Sequence, residues 1–348
     1  MFSKNLKYYR LMNSLTKKDL AEKINVTPMA ISNYENGKRS PDIDTLRKMA
    51  KALKISVSDF LETRNQNLVF SHNEFRKNSG LTKEKEEFIR ESVEEYFCRF
   101  MDSVEILGEK VLPDFPKIHT LSLTYNEEED AKNLRKYLGF AIDGPIEDLI
   151  GKLENKGFLI YKININEHNF SGINGLVNDR PYIMINSTMT TERNRSTLAH
   201  ELVHIMFNWE ESKLNDQEIE NYATKVGGAF LFPSSDAKRE LGLKRNAISK
   251  DMLLVAKEYG ISMMLLAKRA EIANIVNQSI AKRFYFLASQ KGWRTNEPTR
   301  INPENPQLFE QLVYRAINEN EINLQRGAEL LKVPFSQVVN NCCFNNEE

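Results

Sequence analysis

The sequence predicts a multidomain chain with an all-α N-terminal head, an α+β middle and an α-helical C-terminal region. Three observations carry this. The 348 residues exceed what one hydrophobic core usually organises. Short segments with helical apolar spacing crowd the N-terminal part, and only the middle alternates helical stretches with strand-like runs such as Gly157–Tyr161 and Tyr182–Asn186. Hydrophobic residues at 41% and charged residues at 28% describe a folded globular chain and exclude wholesale disorder.

Zero net charge, from 48 Lys/Arg against 48 Asp/Glu, hides an asymmetry. Between Met1 and Asn65 stand 13 Lys/Arg and 7 Asp/Glu, so the head carries +6 and the remainder −6. A basic head on an acidic body suits contact with a polyanion. No apolar run approaches the ~18 residues that span a bilayer. The N-terminus lacks the apolar core of a signal peptide, so a cytoplasmic protein without a membrane partner is expected. Three cysteines, Cys98, Cys342 and Cys343, make no disulfide framework, and the adjacent pair near the tail reads as incidental.

In the head, Leu6, Tyr9 and Leu11 suggest a first helix. Thr16 with Asp19 forms a capping-box pattern ahead of Leu20, Ala21 and Ile24. Thr27-Pro28 is an N-cap followed by proline at the first helical position, and Gly37 stops that helix. Pro41-Asp42 opens a fourth helix, and Val57, Phe60 and Leu61 belong to a fifth. Two short helices joined by the tight Asn25-Val26 turn make a helix-turn-helix signature. The run Asp19–Pro41 closely resembles the XRE/Cro-like repressor domain over about residues 4–62. That resemblance implies that the Thr27–Asn36 helix enters the major groove of a double-stranded operator. Thr27, Met29, Ser32 and Asn33 would face base edges, and Asn36, Lys38 and Arg39 would meet phosphates. It also implies a homodimer on two half-sites. Glu35, Leu20, Ala21 and Ile31 read as scaffold.

Residues 63–80 read as a polar linker around the apolar patch Leu68–Phe70. Thr82 to about Leu112 is an acidic helix. Beyond Glu127, two helices precede a strand at Gly157–Tyr161, a turn at Gly172–Gly175 and a strand at Tyr182–Asn186. The next helix carries His200-Glu201-Leu202-Val203-His204. Residues i and i+4 share a helix face, so both imidazoles can hold one metal ion. Glu201, about 100° round the helix, can reach a water in the metal's open position and act as general base. His72, His119 and His168 lack ligand spacing.

A catalytic site of this type needs a third ligand from another element. The strand Ile183–Asn186, the run Arg195–His204 and the stretch Glu220–Pro233 together resemble the ImmA/IrrE-type metallopeptidase family over about residues 126–235. The resemblance implies Zn2+ bound by His200, His204 and Glu220, with Glu201 as base; Glu218 is the second choice of ligand. The chain departs from the family pattern at Val203, Ser196, Ala223-Thr224 and Gly227-Gly228, none of them a ligand or the base. Such peptidases hold substrate as a strand added to a sheet edge, which makes Tyr182, Met184 and Asn186 the expected groove wall.

Met252–Tyr259, Gly260-Ile-Ser262 and Met263–Asn274 repeat a helix-turn-helix shape, read as packing or dimerisation. Leu308–Asn318 and Leu324–Leu331 form another helix pair. The expected boundaries are 1–64 for the helix-turn-helix domain, 65–81 for the linker and 82–125 for a helical connector. The zincin-like metallopeptidase domain covers 126–243 and the helical C-terminal region 244–348. The expected function is a DNA-binding transcriptional regulator carrying a zinc endopeptidase. The resemblance implies cleavage of a helix-turn-helix repressor, in trans or in the chain's own linker, to derepress stress, prophage or mobile-element genes. The alternatives are a transcription factor with a catalytically silent zincin domain used for sensing or assembly, and a toxin–antitoxin component.

Overall fold

The computed structural model describes residues 2–62, 64–65, 67–72, 81–167, 170–293 and 295–342. Local signals set the head. Helix α1 covers Phe2–Met12. Helix α2, Lys17–Ile24, opens on the capping box: the Thr16 hydroxyl accepts from the Asp19 N–H at 3.1 Å, and the Asp19 carboxylate accepts from the Thr16 N–H at 2.8 Å. Helix α3, Pro28–Glu35, is capped by Thr27, and α4, Ile43–Leu53, by Asp42. Leu6, Leu20, Ala21, Ile31, Met49 and Phe60 are fully buried in one core. The expected fifth helix is a single 3-10 turn, Ser58–Phe60. One turn already buries Phe60, and Ser56 and Asp59 cap each other around it at 2.7 and 3.3 Å.

The chain continues through strand β1 (Phe70–His72), α5 (Lys83–Leu107), α6 (Glu127–Tyr137) and α7 (Leu149–Glu154). Strands β2 (Leu159–Ile163), β3 (Gly172–Val177) and β4 (Arg180–Asn186) lead into α8 (Thr191–Met206) and α9 (Asp216–Leu231). Helices α10 (Ser234–Leu241), α11 (Met252–Tyr259), α12 (Met263–Ile272) and α13 (Gln278–Gln290) follow. The described chain closes with α14 (Leu308–Asn318), α15 (Leu324–Leu331) and α16 (Phe335–Cys342).

The described residues fall into two compact units. One takes those of 1–68, 80–108 and 313–348; the other takes those of 69–79 and 109–312. In the first, the head is joined by α5 and by the C-terminal helices: Lys332 reaches the Glu95 carboxylate at 2.6 Å, and Arg99 bonds both Glu95 and the Leu330 carbonyl.

The second unit is built on a mixed sheet in the order β1-β3-β4-β2. Strands β2 and β4 run parallel, while β3 is antiparallel to both β4 and β1. Two expectations change here. Gly172–Gly175, read from its glycines as a turn, lies within β3. Its glycines serve close approach instead: a Cβ on Gly172 would stand 2.6 Å from the Met184 carbonyl oxygen and 2.7 Å from the Thr197 methyl. Part of the expected linker, Phe70–His72, is a strand of this sheet; residues 63, 66 and 73–80 lie outside the described residues.

Strand β4 has neighbours on both sides and an apolar run, Tyr182–Ile185, that is fully buried. Continuous apolar sequence is what a strand covered on both faces requires. The core extends from Ile183 and Ile185 through Leu198, Leu202 and Val203 of α8 to Ala223, Val226 and Phe230 of α9. Among the described residues no helix is long and apolar enough to cross a membrane.

Candidate metal centre and DNA-reading helix

Helices α8 and α9 bring three donor side chains together. His200 and His204, one turn apart on α8, hold their Nε2 atoms 3.0 Å from each other. Glu220, in the second turn of α9, places Oε2 at 3.3 Å from His200 Nε2 and Oε1 at 3.4 Å from His204 Nε2. Among the described residues this is the one group of three His, Cys, Asp or Glu side chains close enough to share an ion. The helices approach closely because of Gly227, where a Cβ would meet the Ala199 carbonyl carbon and the His200 nitrogen at 3.2 Å. The glycine at this departure from the family pattern therefore has a local role.

Two side chains to which the sequence reading gave no site role orient the centre: Thr224, noted only as a departure from the family pattern, and Asn174. The Thr224 hydroxyl donates to the Glu220 carbonyl at 2.9 Å and lies 3.2 Å from His200 Nδ1. Its one hydrogen is used toward Glu220, so toward His200 it accepts. Nδ1 then carries the ring proton, and the Nε2 lone pair points to the centre. Asn174 of β3 donates through Nδ2 to Glu201 Oε2 at 2.6 Å, and Glu201 and His200 are both buried. Neither a lone Thr nor a lone Asn has a spacing signature; the one available hint was Asn between glycines on a strand flanking the motif. Trp209 donates from Nε1 to the His204 carbonyl at 3.2 Å, and its ring lies beside the His204 ring.

The second-choice ligand Glu218 is engaged elsewhere: its carboxylate accepts from the Asn215 N–H at 2.9 Å in the capping box that opens α9. Arg195 is buried, bonding the Ile146 carbonyl at 2.6 Å and pairing with Glu304. It anchors α8 within its unit. The residues expected to wall a groove do not do so. Tyr182, Met184 and Asn186 are wholly buried in central β4. Asn186 spends its amide on the Ile165 and Phe170 carbonyls at 2.8 and 3.0 Å. A strand paired on both sides has no edge to offer.

Among the described residues, the other cysteines and histidines do not join the centre. Burial pushes the Cys98 thiol up to about 11. His119 Nδ1 lies 3.2 Å from the Phe207 carbonyl and His72 Nδ1 2.6 Å from the Tyr182 hydroxyl. Cys342 ends α16, whereas His168 and Cys343 lie outside the described residues.

In the head, α3 has an inner and an outer face. Ile31, Tyr34 and Glu35 are buried. Thr27, Met29, Asn36, Lys38 and Arg39 are exposed, and Ser32 and Asn33 half-buried. Arg10 of α1 fixes α3 from beneath through Glu35, Nε to Oε1 at 2.5 Å and Nη2 to Oε2 at 3.1 Å. Such a bidentate buried pair sets orientation more than it adds stability.

Comparison with known proteins follows the same division. The helix-turn-helix family profile matches residues 6–60. The profile of the IrrE N-terminal-like domain matches residues 155–271. A helix-turn-helix-type transcriptional regulator of Methanocaldococcus jannaschii is 39% identical over 54 residues, which are 16% of this chain and 82% of that protein. The chain belongs to the XRE-type helix-turn-helix regulators. Its second unit carries an IrrE/ImmA-like, metallopeptidase-like domain. The uncharacterized regulator YqaE of Bacillus subtilis is 37% identical over 70 residues, 20% of this chain and 60% of YqaE. The regulator ImmR of the same organism is 41% identical over 58 residues, 17% of this chain and 45% of ImmR. The chain thus matches less than two thirds of the length of YqaE and ImmR.

Proposed function

We propose that this DNA-binding transcriptional regulator is also a zinc endopeptidase that cuts a helix-turn-helix repressor and so releases the genes that repressor holds silent. The observation that carries the reading is the convergence of His200, His204 and Glu220 with Glu201 beside them, held by Asn174. The fit to zinc rests on the donor set: two imidazole nitrogens and a carboxylate, with the His200 ring turned by Thr224 so that Nε2 faces the centre. His200, His204 and Glu220 would hold the ion, which supplies Lewis acidity toward a peptide carbonyl and toward water.

The chain's own residues do the rest. Glu201 takes a proton from the attacking water and delivers it to the leaving amine nitrogen as the C–N bond breaks. Asn174 keeps the Glu201 carboxylate aimed by donating to one of its oxygens. In the head, Thr27, Met29, Ser32 and Asn33 read base edges, and Asn36, Lys38 and Arg39 meet phosphates, with two copies of the chain on two half-sites.

Glu201→Gln tests the enzymatic part. The zinc-loaded chain is incubated with helix-turn-helix repressors encoded beside its gene, and fragments are read by mass spectrometry. Cleavage by the parent and none by Glu201→Gln is expected. Identical fragment patterns, or no fragments from either, would sink the peptidase.

A further inference from the structure

Strand β3 is where a polypeptide can join this sheet, and the chain's own β1 already lies there. On one side β3 pairs with β4 from Gly172 to Val177. On the other, Phe70 faces Val177, Ser71 faces Leu176 and His72 faces Gly175, antiparallel. The next residue along β3 is Asn174, whose amide holds Glu201. The described part of the added strand therefore reaches to one register position from the group that secures the proposed base.

The docking is built into the sequence of β3. A Cβ on Gly175 would collide with the Ser71 carbonyl oxygen and stand 2.5 Å from the Tyr182 hydroxyl. Glycine is thus what admits the added strand. Tyr182 reaches past it to His72 Nδ1 at 2.6 Å and pins the register from β4. At the other end Val69 and Asn178 bond reciprocally: the Asn178 N–H donates to the Val69 carbonyl, and the Val69 N–H to Asn178 Oδ1, both at 2.9 Å.

Little apolar surface holds the strand. Ser71 is exposed, and Phe70 and His72 are only half-buried. A strand fastened by main-chain bonds and by the Tyr182 and Asn178 side chains, with so little apolar surface buried, can be exchanged for another extended segment.

We propose that Val69–His72 is a resident occupant of β3, which an extended segment of protein substrate must displace to join the sheet there. The inference rests on the peptidase reading for its consequence, but not for its geometry. In an antiparallel ladder hydrogen-bonded pairs alternate with non-bonded ones. The Asn178–Val69 bond then makes Ser71–Leu176 a bonded pair, and proline at 71 removes its N–H donor.

The test uses a fluorescein-labelled synthetic peptide copying residues 67–74, measured by anisotropy against full-length chain in the Glu201→Gln background, so that nothing is cut. Ser71→Pro is expected to bind it about tenfold more tightly than the background protein. Ser71→Ala, which keeps the N–H, should bind like the background protein. His72→Ala, which loses the Tyr182 pin, should show a smaller gain in the same direction, and it serves if the proline variant does not fold. Equal binding by the background protein and both opened variants overturns the inference. Hydrolysis of the helix-turn-helix repressors encoded beside the gene, by chains that keep Glu201, is read separately. A binding gain without hydrolysis in any of them leaves the displacement standing and removes the peptidase; hydrolysis without a binding gain does the reverse.

Discussion

Glu154→Gln should flatten the pH dependence of stability in the unit built on the sheet. Glu154 ends α7, is buried, and accepts the backbone N–H of Gln307 at 3.0 Å and of Leu308 at 3.2 and 3.3 Å, at the opening of α14. Burial raises its pKa from 4.5 to about 7, outweighing the downward pull of those backbone donors. The unfolded carboxyl releases its proton near 4.5, whereas the folded one keeps it until about 7. Between these values the folded state binds the extra proton, so stability falls as pH rises. The contribution is whole below the lower value and lost above the upper one. A shift of that size corresponds to on the order of 3 kcal/mol across the window. Glutamine keeps an acceptor oxygen for the two N–H groups but does not titrate. Both tryptophans, Trp209 and Trp293, belong to this unit, so their fluorescence in urea follows its unfolding. From about pH 5 to about pH 8 the parent should lose about 2–3 kcal/mol relative to Glu154→Gln. A difference that stays level, or grows in the parent's favour, would refute the assignment of that proton to Glu154.

Three further outcomes are expected. His204→Ala and Glu220→Ala should each reduce zinc in the purified chain from about one ion to near none by elemental analysis, since each removes one of the three proposed ligands; full zinc in both would dissolve the ligand set. Asn174→Ala should lower repressor cleavage about ten- to hundredfold while zinc content stays that of the parent, and unchanged cleavage would strip Asn174 of its positioning role. Lys38→Ala with Arg39→Ala should reduce the slope of log K against log salt by about 2 on duplex DNA, and an unaltered slope would take both residues off the phosphates.

What the sequence made legible was local in origin. The Thr16–Asp19 box and the Thr27-Pro28 start are written within four residues, and each helix begins where they place it. The pair His200 and His204 needs only the pitch of a helix to converge. Glu220 came from a resemblance and not from spacing, because its distance from the histidines is set by how α9 packs on α8. What stayed illegible depends on neighbours remote in sequence. Asn174 acquires its role only because β3 lies along α8, and Thr224 because α9 turns it toward His200. The helix expected after Val57 shrank to one turn because tertiary burial of Phe60 asked for no more.

The misplaced groove follows from the same cause. Tyr182–Asn186 received the groove assignment because the resemblance implies substrate added along a sheet edge, and this strand is part of the resembling pattern. Yet a strand that is apolar at every position is one buried on both faces, and it belongs in the middle of the sheet. The strand that can receive a partner must tolerate close approach of another backbone, which favours glycine at the contact points. Gly175 meets that condition against Ser71 of the added strand, whereas Gly172 admits β4 and α8. Their glycines were the very signal that read as a turn. In this sheet the Gly172–Gly175 segment before the apolar strand is the one that lies between β4 and the short added strand β1. The side chain between those glycines, Asn174, is the one that donates to Glu201.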